Sequence, residues 1–162
     1  MELKINNIFD EFDSGLVLVT AGNKDQFNTM TIGWGQLGFQ WGVPTFAVMV
    51  RESRYTKGLL DENAVFTVSI PVNDGFQKAL GICGSKSGRD MDKFEAAGLE
   101  TEMGKTVFAP IVKGCGLQIE CEVVETKVME PEQFDGEMAD KWYAAGDWHT
   151  YYVGKITAAY LE

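Results

Sequence analysis

The chain has 162 residues, with one histidine, His149, and three cysteines, none of them in a Cys-x-x-Cys pair. A single histidine excludes a multi-histidine metal centre within one chain. An odd cysteine count without paired spacing argues against a zinc ribbon or a disulfide framework. Cys115 and Cys121 share one strand face about 20 Å apart, at ~3.3 Å per residue, too far to bridge each other. The four prolines are scattered, and no repeat, low-complexity tract or linker interrupts the chain, so one domain over 1–162 is expected. No apolar run approaches the roughly twenty residues of a membrane helix. The start, Met-Glu-Leu-Lys-Ile-Asn-Asn, has neither the basic end nor the apolar stretch of a secretion signal, which gives a cytoplasmic expectation. Positive charge is scarce too. Fourteen basic against twenty-four acidic residues give a formal net charge of −10, which opposes binding to nucleic acid or to an anionic membrane.

What is present suits a packed β structure. Hydrophobic residues make up 45% of the chain, including ten Phe and four Trp, enough to fill a core. The strongest periodicity is two. In 115–126, Cys115, Leu117, Ile119, Cys121 and Val123 alternate with Gln118, Glu120 and Glu122, the pattern of a half-buried strand with one polar face. The stretch 64–70 alternates likewise, and 15–20, 28–34, 45–51 and 151–160 are rich in Val, Thr, Ile and aromatics. Three short helices are expected. One is capped by Ser53 and runs to Glu62, where Asn63 ends it. A second, 75–82, is capped by Asn73 or Asp74. A third, 91–97, is capped by Asp90 and closed by Gly98. Eighteen glycines suit many tight turns. The fold class is therefore mainly β with inserted short helices, an antiparallel barrel in place of a βαβ alternation.

Two glycine patterns fail as nucleotide motifs. Gly33-Trp-Gly35-Gln-Leu-Gly38 continues into Phe39-Gln-Trp-Gly-Val-Pro44, where a dinucleotide fingerprint requires a helix. Gly81-Ile-Cys-Gly-Ser-Lys-Ser87 lacks the closing Gly-Lys-Ser/Thr of a P-loop. Cation placement says more. Arg51, Arg54, Lys57, Lys86, Arg89 and Lys93, six of the fourteen basic residues, fall in 51–57 and 86–93. Each segment also offers hydroxyls and a helix start. Such residues are either solvated cations pairing with Glu52, Asp90 and Asp92, or a phosphate site. On 28–34, Asn28, Thr29 and Thr31 offer polar edges to a heteroaromatic ligand, and Gly33 and Gly35 allow close approach; a plain hairpin strand fits the same residues.

Taken together, Asn28-Thr-Met-Thr-Ile-Gly-Trp34, Arg51-Glu-Ser-Arg-Tyr-Thr56, Phe66-Thr-Val-Ser-Ile-Pro71 and Ser87-Gly-Arg-Asp-Met-Asp-Lys-Phe94 resemble the flavin reductase-like, FMN-binding split-barrel family, in the style of its flavoredoxin members. The resemblance runs from about residue 15 to 125. It implies a Greek-key antiparallel six-stranded barrel and a homodimer with FMN near the subunit interface. By the same resemblance Asn28, Thr29, Met30 and Thr31 line the isoalloxazine, with Trp34 close by. Ser53, Arg54 and Thr56 hold the phosphate from one side, and Ser87, Arg89 and Lys93 from the other. Ser69 and Pro71 stand where a strand passes the ribityl chain. The implied activity is electron transfer from reduced nicotinamide, NAD(P)H, through FMN to a flavin or other acceptor. The alternative is a flavoredoxin-type carrier that exchanges electrons with a redox protein. The acidic, aromatic stretch 131–148 follows no pattern of the family, and His149 is read either as packed or as reaching the flavin.

Overall fold

A computed structural model of the chain describes Gly15, 17–72 and 75–162. Among the described residues nine strands are formed, β1 (Val17–Gly22), β2 (Phe27–Ile32), β3 (Gly35–Gln40), β4 (Val43–Arg51), β5 (Val65–Pro71), β6 (Thr101–Met103), β7 (Pro110–Val112), β8 (Gly116–Val128) and β9 (His149–Leu161). The same described residues form four α-helices, α1 (Tyr55–Asn63), α2 (Gln77–Ser85), α3 (Lys93–Ala97) and α4 (Gly136–Tyr143). Seven strands make one sheet in the order β2-β1-β5-β8-β9-β4-β3, and β6 and β7 form a separate pair. Every pairing is antiparallel. The strand β2 also comes alongside β4, although the two are not hydrogen-bonded neighbours. Six strands thus wrap around one core to which each contributes, and β3 extends past the closure. That is a split barrel. No helix among the described residues is long and apolar enough to cross a membrane.

The interior follows from period two. Val17 and Val19, Met30 and Ile32, Phe46, Val48 and Val50, Phe66 and Val68, Ile119 and Cys121, and Tyr152 pack together with Leu59 and Leu60 of α1. Removing one such Leu or Phe side chain typically costs about 2–5 kcal/mol. At β9 the backbone comes so close to β5 and β8 that a Cβ on Gly154 would lie 2.6 Å from Cys121 and 2.7 Å from Phe66. A second cluster of Leu18, Leu80, Cys83, Val112 and Cys115 fills the space beneath α2 and β7. All three cysteines are buried and free.

Several expectations shift at this point. The polar face of β8 is solvated only at Glu122, because Gln118 and Glu120 are fully buried. Residues 104–107 fold over Glu120, whose carboxylate accepts from the N–H groups of Lys105 (2.7 Å), Thr106 (2.6 Å) and Val107 (3.3 Å). It accepts also from the hydroxyls of Thr106 (2.7 Å) and Tyr160 (2.8 Å). The glycine-rich stretch after Gly33 is neither nucleotide loop nor helix but the strand β3, turned into β4 at Trp41 and Gly42, whose φ values of 52° and 76° fit a two-residue hairpin. α1 is capped by Arg54 without a side-chain bond, since Ser53 is engaged elsewhere, and it ends at Ala64 in the left-handed region. α3 is capped by Asp92 and not Asp90, one carboxylate oxygen accepting from the N–H groups of Phe94 and Glu95; Gly98 closes it as expected. α2 begins after Phe76, and its expected caps Asn73 and Asp74 lie outside the described residues.

Burial opposes the charge on Glu120, but the donors from Thr106, Lys105 and Tyr160 hold its carboxyl below the ordinary value. Its contribution to stability is therefore complete above the unfolded value near 4.3 and is lost as pH falls through the lower folded one. Glu120→Gln, which sets an amide NH2 against backbone N–H groups, is expected to lose about 3 kcal/mol at pH 7. Urea unfolding at pH 7 and at pH 3 checks this, with the gap from wild type shrinking in acid.

Candidate functional site

The unhydrogen-bonded seam between β2 and β4 is where the cationic segments meet. β2 pairs with β1 alone, so its other edge leaves backbone groups open. The polar side chains of β2 are used to fasten helices and strands: Asn28 Nδ2 donates to Thr56 Oγ1 on α1 (2.8 Å), Thr29 Oγ1 to the Val19 carbonyl (3.3 Å) and Thr31 Oγ1 to the Leu80 carbonyl of α2 (2.7 Å). Thr29 is fully buried; the group it turns toward the seam is its carbonyl, which accepts from Lys93 Nζ at 3.0 Å.

At one end of the seam is a small recess lined by Asn28, Met30, Ser53–Thr56, Lys86–Gly88 and Lys93. Three of these residues are cations and none is a carboxylate. Its volume of about 40 Å³ equals roughly three waters, the size of a tetrahedral oxyanion. α1 begins here without a side-chain cap and without an acidic residue in its first turn, so the N–H groups of Tyr55 and Thr56 have no partner within the helix. Lys93 is only 4% exposed. Its Nζ donates to the carbonyls of Thr29 (3.0 Å) and Cys83 (2.9 Å), leaving the third N–H of the ammonium for the recess. Burial pulls the Lys93 pKa below its ordinary value, with the Cys83 thiol opposing and Arg54 adding to the shift. An anion in the recess would relieve that penalty. The approach of Gly88 is equally tight, since a Cβ there would fall 2.2 Å from Asn28 Oδ1 and 2.7 Å from the Tyr55 ring.

Of the residues expected at the phosphate, Arg54, Thr56, Ser87 and Lys93 line this recess. Thr56 is 1% exposed, and its hydroxyl accepts from Asn28. Ser53 lines the recess too, but its N–H and hydroxyl both go to Asp147 (2.8 and 2.7 Å). Arg89 sits behind it, donating to the Ser53 carbonyl at 2.9 Å with its guanidinium 5.5 Å from the Tyr55 ring centre. Ser69 is not brought to the seam. It is fully buried, donates to Gln118 Oε1 (2.6 Å) and accepts from the Val112 N–H (3.1 Å). Its side chain alternates away from the barrel core that Val68 fills, onto the face that β7 covers.

From the recess the seam opens into a wider cleft of about 150 Å³, lined by residues 30–34, Met49, Arg51, Arg54 and His149. Met30 and Arg54 line both spaces, which makes them one track. Trp34 stands at its far end, its ring centre 5.0 Å from Trp142 and 5.1 Å from His149. The segment 131–148 thus has a place in the fold: α4 and the turn after it close this end. Tyr143 stacks on Trp148 at 4.1 Å and shares a 2.7 Å hydrogen bond with His149 Nδ1. Arg51 reaches across to the Asp147 carbonyl (2.7 Å) and lies 5.2 Å from the Tyr143 ring centre. Met49, Arg51, Gly88, Asp147 and His149 join the expected site residues; only Arg51, in a cationic segment, and His149 carried a signal in the sequence.

A cationic, carboxylate-free recess joined to a cleft walled by an indole is a fitting shape for a phosphorylated planar ring. The flavin reductase-like domain model matches residues 9–162. The chain belongs to the flavin reductase-like family. It is similar to a flavoredoxin from Methanosarcina acetivorans, 32% identical with a TM-score of 0.70, covering 90% of this chain and 67% of that one. It is similar also to an FMN-binding protein from Thermus thermophilus with bound 1-cyclohex-2-enone, 26% identical with a TM-score of 0.69, covering 89% and 68%. An uncharacterized protein of Archaeoglobus fulgidus is 30% identical over 129 residues, 80% of this chain. The chain spans 62% of that relative's length. The antiparallel split barrel expected from the sequence is the fold found, and the two solved structures share it.

Burial, then the positive field of Arg51, pushes His149 down to about 4. The imidazole is therefore neutral at pH 7. An NMR titration of its ring signals is expected to show no protonation step between pH 8 and 5, and a midpoint near 4. Because the unfolded chain takes up the proton first, near 6.5, this residue makes stability fall as pH drops from about 6.5 toward 4.

Proposed function

We propose that this protein is an FMN-binding oxidoreductase of the flavin reductase type, which passes electrons from reduced nicotinamide to a flavin or other acceptor. One observation carries the reading: the open edge of β2 and the uncapped start of α1 meet Lys93 and Arg54 at one end of a track that leads to Trp34. FMN, when bound, supplies the hydride and electron chemistry, and the protein supplies placement and charge. Arg54, Lys93, the first N–H groups of α1 and the Ser87–Gly88 backbone would hold the phosphate. Met30, Thr31 and Trp34 would line the ring, with Asn28 and Thr29 fixing β2 behind it. Backbone N–H groups along the open edge of β2 would stabilise negative charge on the reduced ring. No nucleophile or acid–base pair is required of the chain, in keeping with a cleft whose one histidine is neutral.

A second reading is a flavoredoxin-type electron carrier, supported by the 32% identity to a flavoredoxin. A net charge of −10 would steer a redox partner with a basic docking face. A homodimer is proposed for either role. The β3–β4 arm holds Leu37, Phe39 and Trp41 in solvent at 55%, 71% and 63% exposure, an apolar surface of the kind that marks an interface; light scattering at the monomer mass would remove it.

Visible absorption of the purified protein after addition of FMN and removal of the excess is expected to show the two-band flavin spectrum. Arg54→Ala is expected to weaken FMN retention by about ten- to a hundredfold, the loss of one charge-assisted hydrogen bond. With the flavin loaded, anaerobic NADH bleaches the spectrum if the protein is a reductase. Bleaching only with a reduced protein donor identifies the carrier, and a colourless protein rejects both.

A further inference from the structure

Ser53 comes directly before the cap of α1, and every polar group it has is taken. Its N–H and hydroxyl donate to the two carboxylate oxygens of Asp147 at 2.8 and 2.7 Å. Its carbonyl accepts from Arg89 at 2.9 Å. The neighbours of Ser53 are held by the same distant segment: Arg51 donates to the Asp147 carbonyl at 2.7 Å, and the Glu52 N–H to the Trp148 carbonyl at 3.0 Å. Asp147 reaches back because Gly146 and Asp147 take φ values of 76° and 59°, left-handed backbone that Gly adopts freely and Asp tolerates. The two partners are 94 residues apart in sequence. Arg54 and the free N–H groups of α1 follow Ser53 immediately, so the placement of this turn decides where those donors point.

We propose that Asp147 is a positioning residue for the anion recess: through Ser53 it fixes the turn that presents Arg54 and the start of α1, so that the segment before β9 governs how tightly a phosphate monoester is held. This rests on the flavin reading above. A carboxylate suits the task because its two oxygens satisfy both Ser53 donors at once, which removes Ser53 from direct contact with the ligand. Burial works against the charge of Asp147, but the Ser53 hydroxyl and N–H outweigh it, with Arg51 and Arg54 adding, and hold the carboxyl below its usual range.

Fluorescence titrations with FMN and with riboflavin, which differ by the phosphate alone, separate the recess from the ring end. In D147A the affinity for FMN is expected to fall about tenfold, or about 1.4 kcal/mol, while riboflavin affinity stays within about twofold and so doubles as the control for folding. D147N keeps one acceptor oxygen and the left-handed backbone, and is expected to fall between. Adding S53A to D147A costs nothing more, because the hydroxyl acts through Asp147 and not on the ligand. Equal losses of FMN and riboflavin affinity in both D147A and D147N, unchanged FMN affinity, or a further loss on adding S53A overturns the proposal. A wild-type protein that holds FMN and riboflavin equally overturns the phosphate reading itself, and the proposal with it.

Discussion

Lys93 carries an ammonium to a position where 4% of the residue meets solvent, with two backbone carbonyls as its protein partners. One carbonyl belongs to β2 and the other to α2, and Lys93 itself opens α3. One charge therefore ties together three elements that share no backbone pairing. Two neutral acceptors only partly offset the desolvation of a cation, as its lowered pKa records. The uncompensated charge faces the recess, where the proposed phosphate would offset the cost of burying the lysine.

The same logic runs in reverse on the far side of the barrel. Glu120 is a buried anion, and there the chain supplies every donor itself, from 104–107 and from Tyr160. Gln118 and Ser69 complete that layer with bonds to each other and to Val112. A satisfied polar layer is structural. An under-satisfied one at an open seam is where a ligand belongs. The contrast between the two charges separates scaffold from site without appeal to residue type.

Charge placement at the level of the whole molecule adds to this. In a chain of net charge −10, the recess is lined by Arg54, Lys86 and Lys93 with no carboxylate, so positive field is focused at the site proposed for the phosphate. Asp147, the distant acid bonded to that turn, is held by the N–H and hydroxyl of Ser53, and Arg51 donates to its backbone carbonyl. The aromatic segment before β9 is thereby coupled to both ends of the track. Its Trp142 packs against Trp34 at one end, and its Asp147 bonds Ser53 at the recess.

By itself the sequence determined the strands whose faces alternate, the helix closed by Gly98, the absence of a nucleotide loop and the two cationic segments, because period, glycine and charge are local properties. It also carried four motifs in an order that resembles one family. What covers each face was decided only by tertiary structure. Alternation identifies a polar side of β8 but cannot say that 104–107 will fold over it, and so Gln118 and Glu120 read as solvated. β3 escaped notice since an arm with little burial leaves no apolar period to read. Ser53 and Ser69 looked like ligands since a hydroxyl is available until a partner claims it, and their partners lie 94 and 49 residues away. A hydrogen bond between distant segments has no signature in either one, and the site is assembled from bonds of that kind.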